Sequence, residues 1–463
     1  MFIGRERELD TLNRLYHSDK FEFAVIYGRR RVGKTALISE FTKDKDTIFF
    51  TGVETNAKQN LDNFSRSIME RHTEIALNTF FADFQAALQH VFELAKNKRI
   101  VLVMDEYPYV ARASKSLAST LQLLIDKNKD HSKLFLILCG SSMSYMEDQV
   151  LAYKAPLYGR RTAQFKIQPF DFFEACSCFT NLSDIDKALA YGVVGGTPQY
   201  LLQLDDRLSI EENIKNTHLN PSSSIFEEPV NLLKQEVREP MIYNAVISAI
   251  ATGASRLHEI SNKIDEDTSV CATYIKNLMA LGIIKKELPY GEKSSRKTIY
   301  SIEDNMFRFW YRFVPENTSI ISRGAAELAY RRIAPELSSY MGGVFEEICR
   351  QYLWKLLLEG VCAVNFSDIG RWWGTNPRTK SQEEIDIMGT DHKDAALFGE
   401  CKWTNEKVDL GVLEKLVERS TLFHYQKTHF YLFAKTGFTE GCRDRAAEMG
   451  NVTLVAYEEM LER

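Results

Sequence analysis

The stretch GRRRVGKT, residues 28–35, constrains this chain more than any other segment. It follows the apolar run FAVIY at 23–27 and leads into ALISEF at 36–41, so a buried strand must turn sharply into a helix. Gly28 and Gly33 let the backbone curl, which aims successive N–H groups and the helix start at one point. Such a cradle attracts an anion, and Lys34 adds a full positive charge. The spacing therefore predicts a phosphate site built from Gly28, Arg31, Val32, Gly33, Lys34, Thr35 and Ala36, with Lys34 on the β and γ oxygens and Thr35 on Mg2+.

Two further apolar runs, IVLVM at 100–104 and LFLIL at 134–138, alternate with helical segments up to about residue 165. That alternation predicts a parallel sheet with helices on both faces. The first run ends in Asp105 and Glu106. Asp105 can hold Mg2+ and Glu106 can polarise an attacking water, which makes ATP hydrolysis the expected chemistry, with ATP and ADP as ligands. The second run ends in Ser141 and Ser142, suited to sensing the γ-phosphate but also to ordinary turn chemistry.

With 463 residues, about three domains are expected. An apolar content of 44% and a charged content of 26% fit a globular protein with sizeable cores. The net charge of -5 excludes a uniformly basic nucleic-acid coat, so any such contact must be regional. The eight cysteines are scattered without zinc spacing and read as reduced, mostly buried thiols. The charged start MFIGRERELD does not resemble a secretory signal, and no 18-residue apolar run occurs. Cytoplasm, without membrane contact, is the expected location.

Residues 166–235 turn helical and contain YGVVGGTPQYLL, where a Gly-Gly-Thr-Pro turn ends one helix and starts the next. Over 236–302, MIYNAVISAIATG, ASRLHEISNKI and TSVCATYIKNLMALG predict three helices, followed by two strand-like pieces, IIKKELPY and KTIYSI, in the order of a winged helix. Its third helix would bury Val270, Tyr274, Ile275, Leu278 and Leu281 and turn Thr273, Lys276 and Asn277 outward. The wing sets Lys285, Lys286, Lys293, Arg296 and Lys297 against Glu287 and Glu292, an excess of three positive charges. Such a patch serves either DNA contact or protein docking. Residues 303–335 read as an aromatic, helical connector, and a mixed region from 336 to 463 opens on the helix MGGVFEEICRQYLWKLL.

FIGRERELDTL, GRRRVGKT, DEYPYV, LCGSS, PLYGRR and GGTPQYL follow one another as in the archaeal-type ATPases of the STAND branch of AAA+-like P-loop proteins, which residues 1–235 resemble. The resemblance implies a P-loop ATPase core over 1–165 and a helical lid over 166–235. It also implies that Ile3, Gly4 and Arg5 flank the base and that Gly196 and Pro198 approach the nucleotide. Arg160 and Arg161 resemble a basic pair after the third core strand, fit either for the γ-phosphate or for a surface ion pair.

The stretch EIDIMGTDHKDAALFGECKW at 384–403 reads as two strands and a turn. A period of two puts Glu400 and Lys402 on one face, and the preceding strand brings Asp386 beside them. Packing two carboxylates and an ammonium together is costly unless a cation absorbs the negative charge. A divalent ion, Mg2+ or Mn2+, between Asp386 and Glu400, with the Cys401 carbonyl as a further ligand, would activate water, while Lys402 would steady a phosphorane. With Glu346 on the upstream helix and the helix VDLGVLEKLVERS after it, residues 336–435 resemble the PD-(D/E)XK nuclease superfamily, although Glu384-Ile385 stands where the signature has its proline.

The expected fold is thus α/β: a P-loop NTPase parallel sheet with a helical lid, then a winged helix, then a mixed α/β restriction-endonuclease-like domain. Two functions are compatible with it. In one, nucleotide state gates phosphodiester cleavage on DNA. In the other, a signalling or scaffold ATPase uses an inactive nuclease fold to bind a protein partner or a second copy of itself.

Overall fold

The apolar runs of the first third become strands of one five-stranded parallel sheet. They are β1 (Glu22–Tyr27), β2 (Thr47–Thr51), β3 (Ile100–Asp105), β4 (Leu134–Gly140) and β5 (Ala163–Lys166), in the order β2-β3-β4-β1-β5. β1, β3 and β4 are buried at every residue, which is why they read as unbroken apolar runs. Alternate side chains serve two cores: Phe23, Val25 and Tyr27 enter one, Ala24 and Ile26 the other. The order β3-β4-β1 brings three carboxyl-terminal strand ends side by side, where α/β sheets bind their ligands.

The computed structural model describes residues 2–72, 80–294 and 297–462, and the chain divides into two compact units. The first holds residues up to Phe170 together with Thr197–Gln199; the second holds Asp171–Gly196 and the chain from Tyr200 onward. Arg296 lies outside the described residues. Among those residues no helix is long and apolar enough to cross a membrane. All eight cysteines are free thiols, five of them buried.

The second unit begins helical, with Phe172–Cys176 and Ile210–Asn216 each started by a capping box, on Asp171 and Ser209. Three helices, Pro240–Ala251, Leu257–Ile264 and Thr268–Ala280, then precede an antiparallel hairpin of β6 (Ile284–Glu287) and β7 (Ile299–Ile302). On the third of these helices Cys271, Ile275 and Leu278 form the buried stripe. Val270, expected inside, is 38% exposed, because a helix starting at Thr268 turns it off the 271-275-278 row. Tyr274 is half-buried and donates its hydroxyl to Glu239 at 2.9 Å, whereas Leu281 is buried as expected.

The expected boundary at 335/336 falls inside one helix, Ala326–Leu358, of 33 residues. Pro335 does not end it. Buried residues recur on both sides, Ala329 and Ile333 before and Met341, Val344, Phe345 and Ile348 after, so packing outweighs the one backbone hydrogen bond that proline removes. The remaining chain forms a mixed sheet of β8 (Ile369–Thr375), β9 (Gln382–Thr390), β10 (Ala395–Lys402), β11 (Lys427–Ala434) and β12 (Val452–Ala456), in the order β12-β11-β10-β9-β8. β8, β9 and β10 pair antiparallel, while β10, β11 and β12 run parallel with the helices Leu410–Ser420 and Glu440–Met449 as crossovers.

Candidate nucleotide site and carboxylate cluster

At the carboxyl end of β1 the chain passes so close to Ile167 that a Cβ on Gly28 would lie 2.4 Å from its carbonyl oxygen. Gly33, at φ 90°, turns the chain into the helix Lys34–Thr42. Lys34 is buried, and its ammonium donates to the Gly28 and Arg29 carbonyls at 2.8 Å each. Thr35 Oγ1 donates to Asp105 Oδ2 at 3.0 Å, joining the helix start to the end of β3. The next residue, Glu106, sits in the left-handed region at φ 48° and accepts from Ser141 Oγ at 3.0 Å. Strain of this kind in a non-glycine residue collects at working sites. Ser142 instead accepts from Arg112 at 3.2 Å.

The flanking residues converge on the same loop. Gly4 and Arg5 both have positive φ, and the buried Arg5 guanidinium donates to the carbonyls of Val32, at 3.2 Å, and Gln168 while lying 4.7 Å over the Phe170 ring. Ile3 and Gly4 stand half-buried beside it. Pro198 Cγ lies 3.7 Å from where a Gly33 Cβ would stand, and Arg29 donates to the Thr197 hydroxyl. Gly196 belongs to the second unit. Arg160 forks onto both oxygens of Asp126, at 2.9 and 2.6 Å, and Arg161 lies 5.7 Å over the Tyr158 ring.

In the second unit, the pairing of Gly399 with Ile387 sets Glu400 across from Asp386. Lys402 Nζ donates to Glu400 Oε1 at 2.7 Å, and the Cys401 N–H donates to Asp386 Oδ2 at 2.9 Å. Their neighbours Ile385, Ile387, Leu397, Phe398 and Trp403 are buried, so the charges sit on an apolar floor. Burial, reinforced by Glu400 and Glu346, pushes the Asp386 carboxyl up to about 7. Burial likewise raises Glu346, against the pull of Arg350. For Lys402 burial disfavours the charge, but the adjoining Glu400 outweighs it and holds the ammonium above its ordinary range. Glu346 therefore acts on Asp386 through space, although among the described residues no three His, Cys, Asp or Glu side chains stand close enough together to hold a metal.

Residues 2–204 match a family described as an ATPase domain predominantly from Archaea. An uncharacterized protein of Methanocaldococcus jannaschii is 33% identical over 411 residues, 88% of either chain. The chain belongs to this archaeal ATPase family. A second Methanocaldococcus jannaschii relative, an uncharacterized ATP-binding protein, is 47% identical over 45 residues, 10% of this chain and 76% of its own. The Walker-type ATPase of Pyrococcus abyssi shares the fold, with a TM-score of 0.54 at 18% identity over 67% of this chain and 96% of its own. Residues 310–413 match a family described as archaea bacterial proteins of unknown function, a span that includes Glu346, Asp386, Glu400 and Lys402.

Several polar residues of this ATPase surround the carboxylates without having stood out in its sequence. Arg350, one helical turn after Glu346, lies 3.7 Å from that carboxylate, pairs with Glu347 at 3.0 Å and reaches the Asp386 carbonyl at 3.3 Å. Arg419, near the end of the helix Leu410–Ser420, contacts Glu400 at 3.3 Å and Glu383 at 3.0 Å. The signal for Arg350 was present, since Glu346 and Arg350 stand four apart on a helix. For Arg419 there was none, because its partners lie on two other elements.

Proposed function

We propose that this ATPase uses Mg2+ and nucleotide state to control a winged helix and a metal-dependent DNA nuclease-like domain. The observation that carries the nucleotide half is the 3.0 Å contact of Thr35 with Asp105, which joins two hard oxygen donors beside a phosphate-binding loop. These residues fit Mg2+, which would neutralise charge on the β and γ oxygens. Lys34 would exchange its bonds to the Gly28 and Arg29 carbonyls for the phosphates. Glu106 would orient and deprotonate the water, and Ser141, bonded to Glu106, would couple that carboxylate to the γ-phosphate.

The cluster of Asp386, Glu400 and Lys402 supports the second half. Its donors are carboxylate oxygens, the chemistry that suits Mg2+ or Mn2+, and burial raises the Asp386 carboxyl to about 7, so a bound cation would favour its ionised form. With a divalent ion, Asp386 and Glu400 would hold an activated water; Lys402 would face the phosphate, and Glu346 would set the local charge. The test is incubation with plasmid, linear duplex and single strands, with Mg2+ or Mn2+ and with or without ATP. Cleavage lost in both Asp386→Ala and Lys402→Ala is expected; cleavage surviving them comes from a contaminant.

One observation favours a second reading, a switch whose C-terminal domain binds a partner and cuts nothing. Both oxygens of Glu400 are engaged by cations, Lys402 at 2.7 Å and Arg419 at 3.3 Å. Absence of cleavage with every substrate, together with intact ATP hydrolysis, selects it.

A further inference from the structure

Arg419 joins two carboxylates that lie on different strands. Its Nε donates to Glu383 Oε2 at 3.0 Å and its Nη1 to Glu400 Oε2 at 3.3 Å. Glu383 lies near the start of β9, the strand that also carries Asp386, and Glu400 lies on β10. All three members of the bridge are largely withdrawn from water, with side-chain exposures of 15% for Arg419, 18% for Glu383 and 9% for Glu400. A guanidinium in that position supplies positive charge to the Glu400 oxygen that Lys402 does not hold. It comes from a helix that contributes Leu413 and Leu416 to the core beneath, so its backbone is fixed while the side chain keeps two anchors of unequal length.

We propose that Arg419 is a resident counter-cation of Glu400, and that a divalent ion enters the cluster only as Arg419 gives up its longer contact and retreats onto Glu383. The inference rests on the carboxylate cluster being a cation site. The geometry makes the exchange local. The fork of an arginine presents Nε and Nη1 to different acceptors, so releasing Glu400 leaves the contact with Glu383 intact and exposes no unpaired buried charge. A dication bound to Glu400 repels a guanidinium within a few ångströms, in a setting where water screens little. Glu383 therefore sets how readily the site opens: the more firmly it holds Arg419, the lower the electrostatic barrier to the metal. Arg419 is a positioning residue in this scheme and touches no substrate.

Titration of the full-length protein with Mn2+, followed by the loss of the free-ion signal in electron paramagnetic resonance, tests this without any cleavage. Binding that disappears in Glu400→Gln reports the cluster, and binding that persists there belongs to the nucleotide site. Arg419→Gln is expected to tighten the Glu400-dependent site about tenfold by removing a competing charge. Glu383→Gln is expected to weaken it, since Arg419 then rests on Glu400 alone. A merely structural role for the bridge would weaken binding in both single variants. Equal or weaker binding in Arg419→Gln, or tighter binding in Glu383→Gln, overturns the inference while leaving the cluster a cation site. If Glu400→Gln changes nothing, the cation site and the inference fall together.

Discussion

Ser141 Oγ donates to Glu106 Oε2 at 3.0 Å, so the residue that follows β4 holds a carboxylate oxygen of the residue that follows β3. That bond fixes the orientation of the carboxylate that would act as general base. Glu106→Gln is expected to keep ATP binding and lower turnover by about 10²–10⁴, the usual worth of a positioned base. Ser141→Ala should lower turnover less, by about tenfold, through loss of orientation. Phosphate release under single-turnover conditions, set against binding of a fluorescent ATP analogue, separates the two effects. Normal turnover in Glu106→Gln would refute its role.

Lys34 holds the Gly28 and Arg29 carbonyls at 2.8 Å and sits buried in the loop that it would open to phosphate. Lys34→Ala removes the charge proposed to face the β and γ oxygens, and ATP affinity is expected to fall by about a hundredfold or more. Gly28→Ala tests shape instead of charge. With Ile167 O only 2.4 Å from the new methyl carbon, the loop must shift, and both binding and thermal stability should drop. Calorimetric titration with ADP and a thermal melt distinguish the variants: Lys34→Ala should melt close to wild type.

The core strands were legible because each is buried on both faces and so forms an unbroken apolar run. β2 and β5 did not stand out. They are the two edges of the sheet, and TIFFT and AQFK bury only alternate residues or fewer. The same logic explains Val270: a helix offset by one residue moves a valine off the apolar stripe, and sequence alone does not fix that phase. The nucleotide residues and the Asp386, Glu400, Lys402 set follow from local spacing and strand pairing, so their grouping could be read. The counter-charges Arg350, Arg419 and Glu383 depend on which helix crosses which strand, and spacing says nothing about that.

Asp386 supplies a pH dependence whose sign can be worked out. Its ordinary value is 3.8 and burial raises it to about 7 in the folded protein. Between those values the native state keeps a proton that the unfolded chain has released, so this group's stabilising contribution is complete below the lower value and is lost as pH rises through the upper one. In metal-free buffer containing a chelator, the melting temperature at about pH 8 is expected to lie below that at about pH 5 by a few degrees, on the order of 2–4 °C from this group. Asp386→Asn should flatten that part of the profile. A variant profile that parallels wild type would show that Asp386 does not titrate there.

The hairpin β6–β7 and the loop between its strands bear on DNA. Lys285 lies 3.8 Å from Glu287 and 3.7 Å from Glu347, and Lys297 lies 3.3 Å from Glu292, so part of the basic excess read from the sequence is already met inside the protein. Lys286 and Lys293 are exposed. If duplex DNA binds here, each phosphate contact adds about 0.9 to the slope of log affinity against log salt. Lys286→Ala and Lys293→Ala are each expected to lower that slope by about one, while Lys285→Ala leaves it unchanged and instead loosens the contact between β6 and the helix Ala326–Leu358. Fluorescence anisotropy with a labelled duplex across a salt series measures this directly. A slope near zero in the wild type would assign the hairpin to protein docking.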